Sequence, residues 1–260
     1  MDSGYIAVLD SGIGGISVLL ELEKAFPYEK FLYFGDNLNS PYGNLNKQKL
    51  LSLTIHNINI IKRYQIKMIV LACNTLSVNL INEIKEYSAL PVFGVFPPVE
   101  SCIISGKNTI LLSTVKTAEN YKSRPNFEIV GFINLAKEIE DNLFCLEKVN
   151  FLRSKTHGRL DLTKCNKHQF ENVILGCTHY NFIKNKIYDH FQPQNLLDGT
   201  PNLIAQIKKI IQPKKSLVNI CKNQTIFVGI NAEINKTFYL KSGQQDKNFI
   251  KKVVKNTKKI

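Results

Sequence analysis

Short apolar, β-branched runs recur along the chain, each closed by a small or polar break. Between them lie stretches whose apolar residues sit three and four apart. Tyr5–Leu9, Phe31–Phe34, Met68–Leu71, Val92–Val95 and Thr109–Leu112 read as strands, and Ile16–Ala25, Lys47–Arg63 and Ser77–Tyr87 as helices. Beyond about residue 115 the pattern begins again, with Ile129–Phe132, Val173–Leu175, Asn195–Leu197 and Ile226–Ile230 as strand candidates. Alternating strand and helix predicts βαβ units and parallel pairing. The expected fold is α/β, two similar lobes, each a mostly parallel sheet flanked by helices. Lobe one takes residues 1–96 with a return of part of 211–260, and lobe two takes 97–210.

Two segments repeat one another. Met68-Ile69-Val70-Leu71-Ala72-Cys73-Asn74-Thr75 and Asn172-Val173-Ile174-Leu175-Gly176-Cys177-Thr178-His179 each run from an apolar strand through a small residue to a cysteine and two polar residues. Ligands of open α/β sheets bind beside the carboxyl ends of the strands. The repeat therefore sets two thiols, one from each half, against one ligand in the cleft between the lobes. That arrangement moves a proton between opposite faces of a single carbon. A thiol titrates near ~8.5 and is tuned by a helix amino terminus or a nearby cation. The competing reading, a cysteine packed as a small hydrophobe, suits Cys102, Cys145, Cys165 and Cys221, which lack the repeated context.

Other motifs gather at strand ends. Asp10-Ser11-Gly12-Ile13-Gly14-Gly15 follows the first strand and opens a helix; its glycine spacing is not a dinucleotide fingerprint. Pro41-Tyr42-Gly43 follows the second strand and is either a surface turn or a source of backbone N–H groups for a carboxylate. Asn74, Thr75 and Thr178 either bind a carboxylate or cap helices. At another strand end Thr114, Lys116 and Thr117 can hold an acidic substrate, and helix capping explains the two threonines equally well. His179 alone among five histidines stands beside a candidate cysteine, where it can orient or protonate the thiol.

Composition narrows the classes. The 260 residues are 44% apolar and 21% charged, ordinary for a globular chain with a substantial core. No apolar stretch approaches the ~20 residues of a membrane span. Met1-Asp2-Ser3-Gly4 leads into no secretory h-region, so a cytoplasmic protein with reduced cysteines is expected. No Cys or His spacing fits zinc. The net charge of +13 raises a basic nucleic-acid-binding protein as a second hypothesis. Its lysines are scattered, however, with no aromatic-interleaved patch. At the tail, Ile250, Val253 and Val254 form one helical stripe with lysines around it.

The Asp10–Gly15, Pro41–Gly43, Ala72–Thr75 and Gly176–His179 blocks together resemble glutamate racemases, in order and across about the whole chain. The resemblance implies cofactor-independent interconversion of L- and D-glutamate, with D-glutamate going to peptidoglycan. It implies Cys73 and Cys177 as acid/bases assisted by Asp10 and His179. It implies Ser11, Pro41, Tyr42, Gly43, Asn74, Thr75, Thr114, Thr117, Thr178, and Asp10 and His179 again, as substrate contacts. A family glutamate maps to Glu140, with Glu138 as the alternative, because Lys137 stands where the family has proline. Gln244 replaces an aspartate of a further block at Tyr239–Gln244. Aspartate racemases share the two-thiol logic and are the nearest alternative. Family members are often dimers, so a homodimer is also expected.

Overall fold

The computed structural model describes residues 4–157, 160–211, 224–229, 233, 235, 236 and 239. The first sheet contains β1 (Tyr5–Asp10), β2 (Lys30–Gly35), β3 (Ile66–Leu71), β4 (Val92–Gly94) and β10 (Gln224–Val228). Its order is β10-β2-β1-β3-β4, and all its pairs are parallel. The second contains β5 (Thr109–Thr114), β6 (Phe127–Phe132), β7 (Thr156–His157), β8 (Asn172–Gly176) and β9 (Asn195–Leu197), in the order β7-β6-β5-β8-β9. Only β7 runs antiparallel. Without the edge strands β10 and β7, both sheets follow one plan: the first strand lies between the second and third, and the fourth lies outside the third.

Both faces of the first sheet are covered, which is why its strands read as unbroken apolar runs. Ile6 and Val8 point to one face and pack with Ile16, Leu19 and Leu22 of α1 (Ile16–Ala25). Ala7 and Leu9 point to the other and meet Leu50 and Ile58 of α2 (Lys47–Ile61) and Leu80 and Ile84 of α3 (Asn74–Ser88). α2 begins where the sequence puts it because the Asn46 side chain accepts the Lys49 N–H at 2.9 Å.

In the second lobe, Ile110, Leu112, Val130, Phe132, Val173 and Leu175 pack under α6 (Leu135–Asp141) and α7 (Lys184–Phe191). On the opposite face, Leu111 and Ile174 meet Val99 and Cys102 of α4 (Val99–Ile104). The short α5 (Val115–Ala118) continues from β5. The chain re-enters the first lobe's core through Leu203 and Ile207 of α8 (Thr200–Lys208). β10 then pairs with β2. Tyr239 donates its hydroxyl to Glu23 of α1 at 2.9 Å. Cys221, the tail stripe and the rest of the Tyr239–Gln244 block lie outside the described residues.

Candidate active site

Each lobe sends the loops after its first, second and third strands into the seam. Cys73 follows β3 and caps the amino end of α3. Cys177 follows β8 and precedes a 3-10 turn, Thr178–Ile183. Both are nearly covered, at 6% and 7% exposure, and both line one small cavity. Ser11, Pro41, Tyr42, Gly43, Asn74, Thr75, Thr114, Thr178 and His179 line it too. A larger cleft of about 400 Å³, beside α1 and the start of α8, contains neither thiol.

The two thiols have unlike neighbours. Cys177 Sγ lies 3.8 Å from Nδ1 of His179, whose Nε2 lies 2.7 Å from Oε1 of Glu140 on α6. Burial alone would lower the His179 pKa, but its hydrogen bonds to Cys177 and Glu140 and the Glu140 charge lift it well above the usual imidazole value. Burial pushes Glu140 up, yet His179 and the Ile13 N–H hold its carboxyl below the usual range. The site therefore favours an imidazolium–carboxylate pair, with the second imidazolium N–H aimed at sulfur. Glu138 is engaged elsewhere: its carboxylate accepts the Ser154 hydroxyl at 2.6 Å.

Among the described residues no cation stands beside Cys73. Its Sγ meets the Ser11 hydroxyl at 3.8 Å, and burial, then the Asp10 charge, pushes the thiol up to about 12. Asp10 is itself raised by burial. Its carboxylate accepts the Gly12 N–H at 3.1 Å and the Thr178 hydroxyl at 3.4 Å, which links the loop after β1 to the loop after β8. Asp10 does not line the cavity but stands behind it.

The lobes can approach this closely because the β1 loop has no side chains where it meets the second lobe. A Cβ on Gly12 would collide with Oε1 of Glu140, and one on Gly14 would collide with Thr178 Oγ1 and lie 2.6 Å from His179 Nδ1.

Opposite, three hydroxyls close a triangle across the seam. Thr75 lies 3.1 Å from Thr114 and 3.2 Å from Thr117, and Thr114 and Thr117 are 3.1 Å apart. Thr117 is fully buried and reaches the cavity only through the other two. Lys116, one of the three residues expected at this strand end, pairs with Glu119, just past the end of the short α5, at 2.7 Å. A turn of helix brings the two together, whereas the cavity lies on another face. Pro41-Tyr42-Gly43 is not a surface turn: Tyr42 is 1% exposed and donates to Asp36 at 2.5 Å, while Asn57 donates to the Tyr42 oxygen at 3.0 Å. Burial and the Asp36 charge raise the Tyr42 pKa, so it stays a donor.

Ala136, at the start of α6, also lines the cavity and was not foreseen, since an alanine carries no chemical signal in a sequence. Among the described residues no group of three or more His, Cys, Asp or Glu side chains is arranged to hold a metal ion. None of their helices is long and apolar enough to cross a membrane.

Paired thiols at equivalent strand ends of two like lobes, closing on one small polar cavity, define a two-lobed α/β protein built for acid–base chemistry at a single carbon. No protein-family model matches the chain. The glutamate racemase of Clostridium acetobutylicum is 33% identical over 228 residues, 83% of this chain and 86% of that one. That of Buchnera aphidicola subsp. Schizaphis graminum is 31% identical over 245 residues, 90% and 94% of the two chains. The crystal structure of Thermus thermophilus glutamate racemase in complex with β-chloro-D-alanine superimposes with a TM-score of 0.71 at 26% identity, covering 93% of each chain. The chain belongs to the glutamate racemase family.

Proposed function

We propose that this protein interconverts L- and D-glutamate by passing the α-proton between Cys73 and Cys177. The observation that carries the reading is that both thiols line one small cavity, each just past the end of the equivalent strand of its lobe, β3 or β8. For one enantiomer Cys177, beside His179, acts as the base, while Cys73 starts with its proton. The thiolate removes the α-proton of one enantiomer, and the Cys73 thiol delivers its proton to the opposite face. The product leaves with the configuration inverted and the two sulfurs in exchanged protonation states. The reverse reaction starts from that exchanged state.

The α-proton beside a carboxylate is weakly acidic, so the carbanion has to be met by fixed donors. Among the described residues neither lysine nor arginine lines the cavity. The two substrate carboxylates are held by hydroxyls and N–H groups of Ser11, Tyr42, Gly43, Asn74, Thr75, Thr114 and Thr178. The positive end of the 15-residue α3 adds its dipole. Water exclusion from so small a cavity strengthens these contacts. Asp10, Glu140 and Thr117 act from behind this layer. The proposal extends to a cytoplasmic enzyme that supplies D-glutamate for peptidoglycan, and to a homodimer, which light scattering would test.

A circular dichroism time course tests the reaction. D-Glutamate without added cofactor should decay to zero ellipticity with the wild type and stay unchanged with Cys73→Ser. Decay of D-aspartate alone would move the activity to the sister reaction. No decay of either, with salt-sensitive DNA binding instead, would favour the basic-protein hypothesis.

A further inference from the structure

Tyr33 is a fully buried tyrosine on β2 that the mechanism above does not use. Its hydroxyl donates to the carbonyl oxygen of Gly12 at 2.7 Å. The same peptide unit donates its other end, the Ile13 N–H, to Oε1 of Glu140 at 3.4 Å. That oxygen lies 2.7 Å from Nε2 of His179, and Nδ1 of His179 lies 3.8 Å from Cys177 Sγ. One line of hydrogen bonds thus runs from Tyr33 through the Gly12–Ile13 peptide to Glu140, His179 and the thiol. It crosses from the first lobe to the second at that peptide, where a Gly12 Cβ would strike Glu140.

We propose that Tyr33 is a positioning residue for Cys177: by fixing the Gly12–Ile13 peptide it aims an N–H at Glu140 and so orients the His179–Cys177 pair when the lobes close. A carbonyl that accepts a hydrogen bond makes its peptide N–H a better donor. The hydroxyl therefore acts on Glu140 in two ways, by geometry and by polarisation. Cys73 is supported by Ser11 and Asp10 and lies off this line. The inference rests on the racemase reading and assigns the effect to one of its two proton transfers.

Enantiomers are equally stable, so kcat/KM must fall equally in both directions and cannot by itself tell which thiol is affected. Isotope effects can. With α-deuterated L- and D-glutamate, each kcat/KM isotope effect reports the step in which one thiol removes the deuteron. Slowing the Cys177 step raises one effect and lowers the other.

Tyr33→Phe in the full chain should lower kcat/KM about three- to tenfold, the range of one lost hydrogen bond. It should move the two isotope effects apart in the sense seen with His179→Gln and opposite to that of Asp10→Asn. In a Glu140→Gln background the same substitution should do much less, because the chain is already cut. Unchanged activity, unchanged isotope effects, the Asp10→Asn pattern or full additivity with Glu140→Gln would each overturn the proposal. Tyr33→Met, which also lacks the hydroxyl, serves if the phenylalanine variant does not fold. A wild type that leaves glutamate untouched would instead overturn the racemase reading.

Discussion

The two thiols occupy matching places and are armed in different ways. Each ends the third strand of its lobe, yet Cys177 has an imidazolium backed by Glu140, while Cys73 has a hydroxyl and a nearby carboxylate. A reaction that only exchanges mirror images needs two bases, but at any instant it needs one of them charged and the other neutral. Identical surroundings would leave the charge undecided. In the proposed mechanism unlike surroundings make that choice: the His179 cation stands on one side, and the desolvated thiol facing Asp10 on the other. Duplicated backbone with divergent neighbours is thus a way of building an asymmetric proton pair on a symmetric frame.

The largest effect should come from removing either member of the pair. Cys73→Ala or Cys177→Ala should lower racemisation about a thousandfold or more, within the range of a lost general acid or base. Each variant should still exchange the α-proton of one enantiomer only, opposite for the two variants, when followed by NMR in deuterated water. Exchange of both enantiomers by a single variant would break the comparison, because one sulfur would then serve both faces.

Next in size is the arm behind Cys177. His179→Gln should lower kcat about ten- to a hundredfold. Glu140→Gln should act in the same direction, with a changed acid limb of the pH–rate profile. Glu140 is held below the carboxylate range in the folded state. The stability it contributes is therefore present above its unfolded value near ~4.3 and is lost as pH falls through the folded value. His179 is raised, so its contribution is full below ~6.5 and fades only as pH climbs through its higher folded value. Thermal melts across pH should show Glu140→Gln less sensitive than the wild type on the acid side, and less sensitive above ~6.5 as well, because Glu140 is one of the groups that raise His179.

Asp10→Asn should separate activity from stability. The folded protein raises the Asp10 pKa, chiefly by burial. A raised carboxyl binds its proton more tightly when folded, so it costs stability as pH rises through ~3.9 to the folded value. The asparagine variant escapes that penalty. Its melting temperature should exceed the wild type's at neutral pH, the gap closing below pH ~4, while kcat falls about tenfold. A variant that is both less stable and inactive would mean that the hydrogen bonds of Asp10 to Gly12 and Thr178, and not its charge, are what the fold needs.

Much of this was legible in the sequence, for identifiable reasons. Parallel strands covered on both faces must be apolar throughout, so the runs at Tyr5, Phe31, Met68 and Val173 stood out, and the repeated cysteine context marked the same strand end in both lobes. Two-residue β7 could not be read, since its pairing depends on β6 and not on its own pattern. At Lys116 a ligand contact was one open reading, and Glu119 one turn away competes for the ammonium locally. The link from Tyr33 to Glu140 passes through a peptide bond, and a backbone acceptor has no signature in a string of side chains.

Glu138 and Glu140 give the smallest expected effect and the sharpest control. Both are carboxylates on one helix, two residues and therefore about 200° apart around its axis, so only one can face His179. The sequence allowed either, because the helix phase is unanchored where Lys137 stands. In the fold Leu135, Ala136 and Ile139 turn into the second lobe's core. That phase sends Glu140 toward the seam and Glu138 to Ser154. A glutamine at 138 can still accept the Ser154 hydroxyl, so Glu138→Gln should change kcat/KM less than about twofold, as surface-type substitutions do. Its pH–rate profile should overlay the wild type's. A shifted acid limb in Glu138→Gln, with none in Glu140→Gln, would mean that the helix turns in solution to offer the other carboxylate. The support assigned to Cys177 would then belong to a different residue, although the asymmetry between the two thiols would stand.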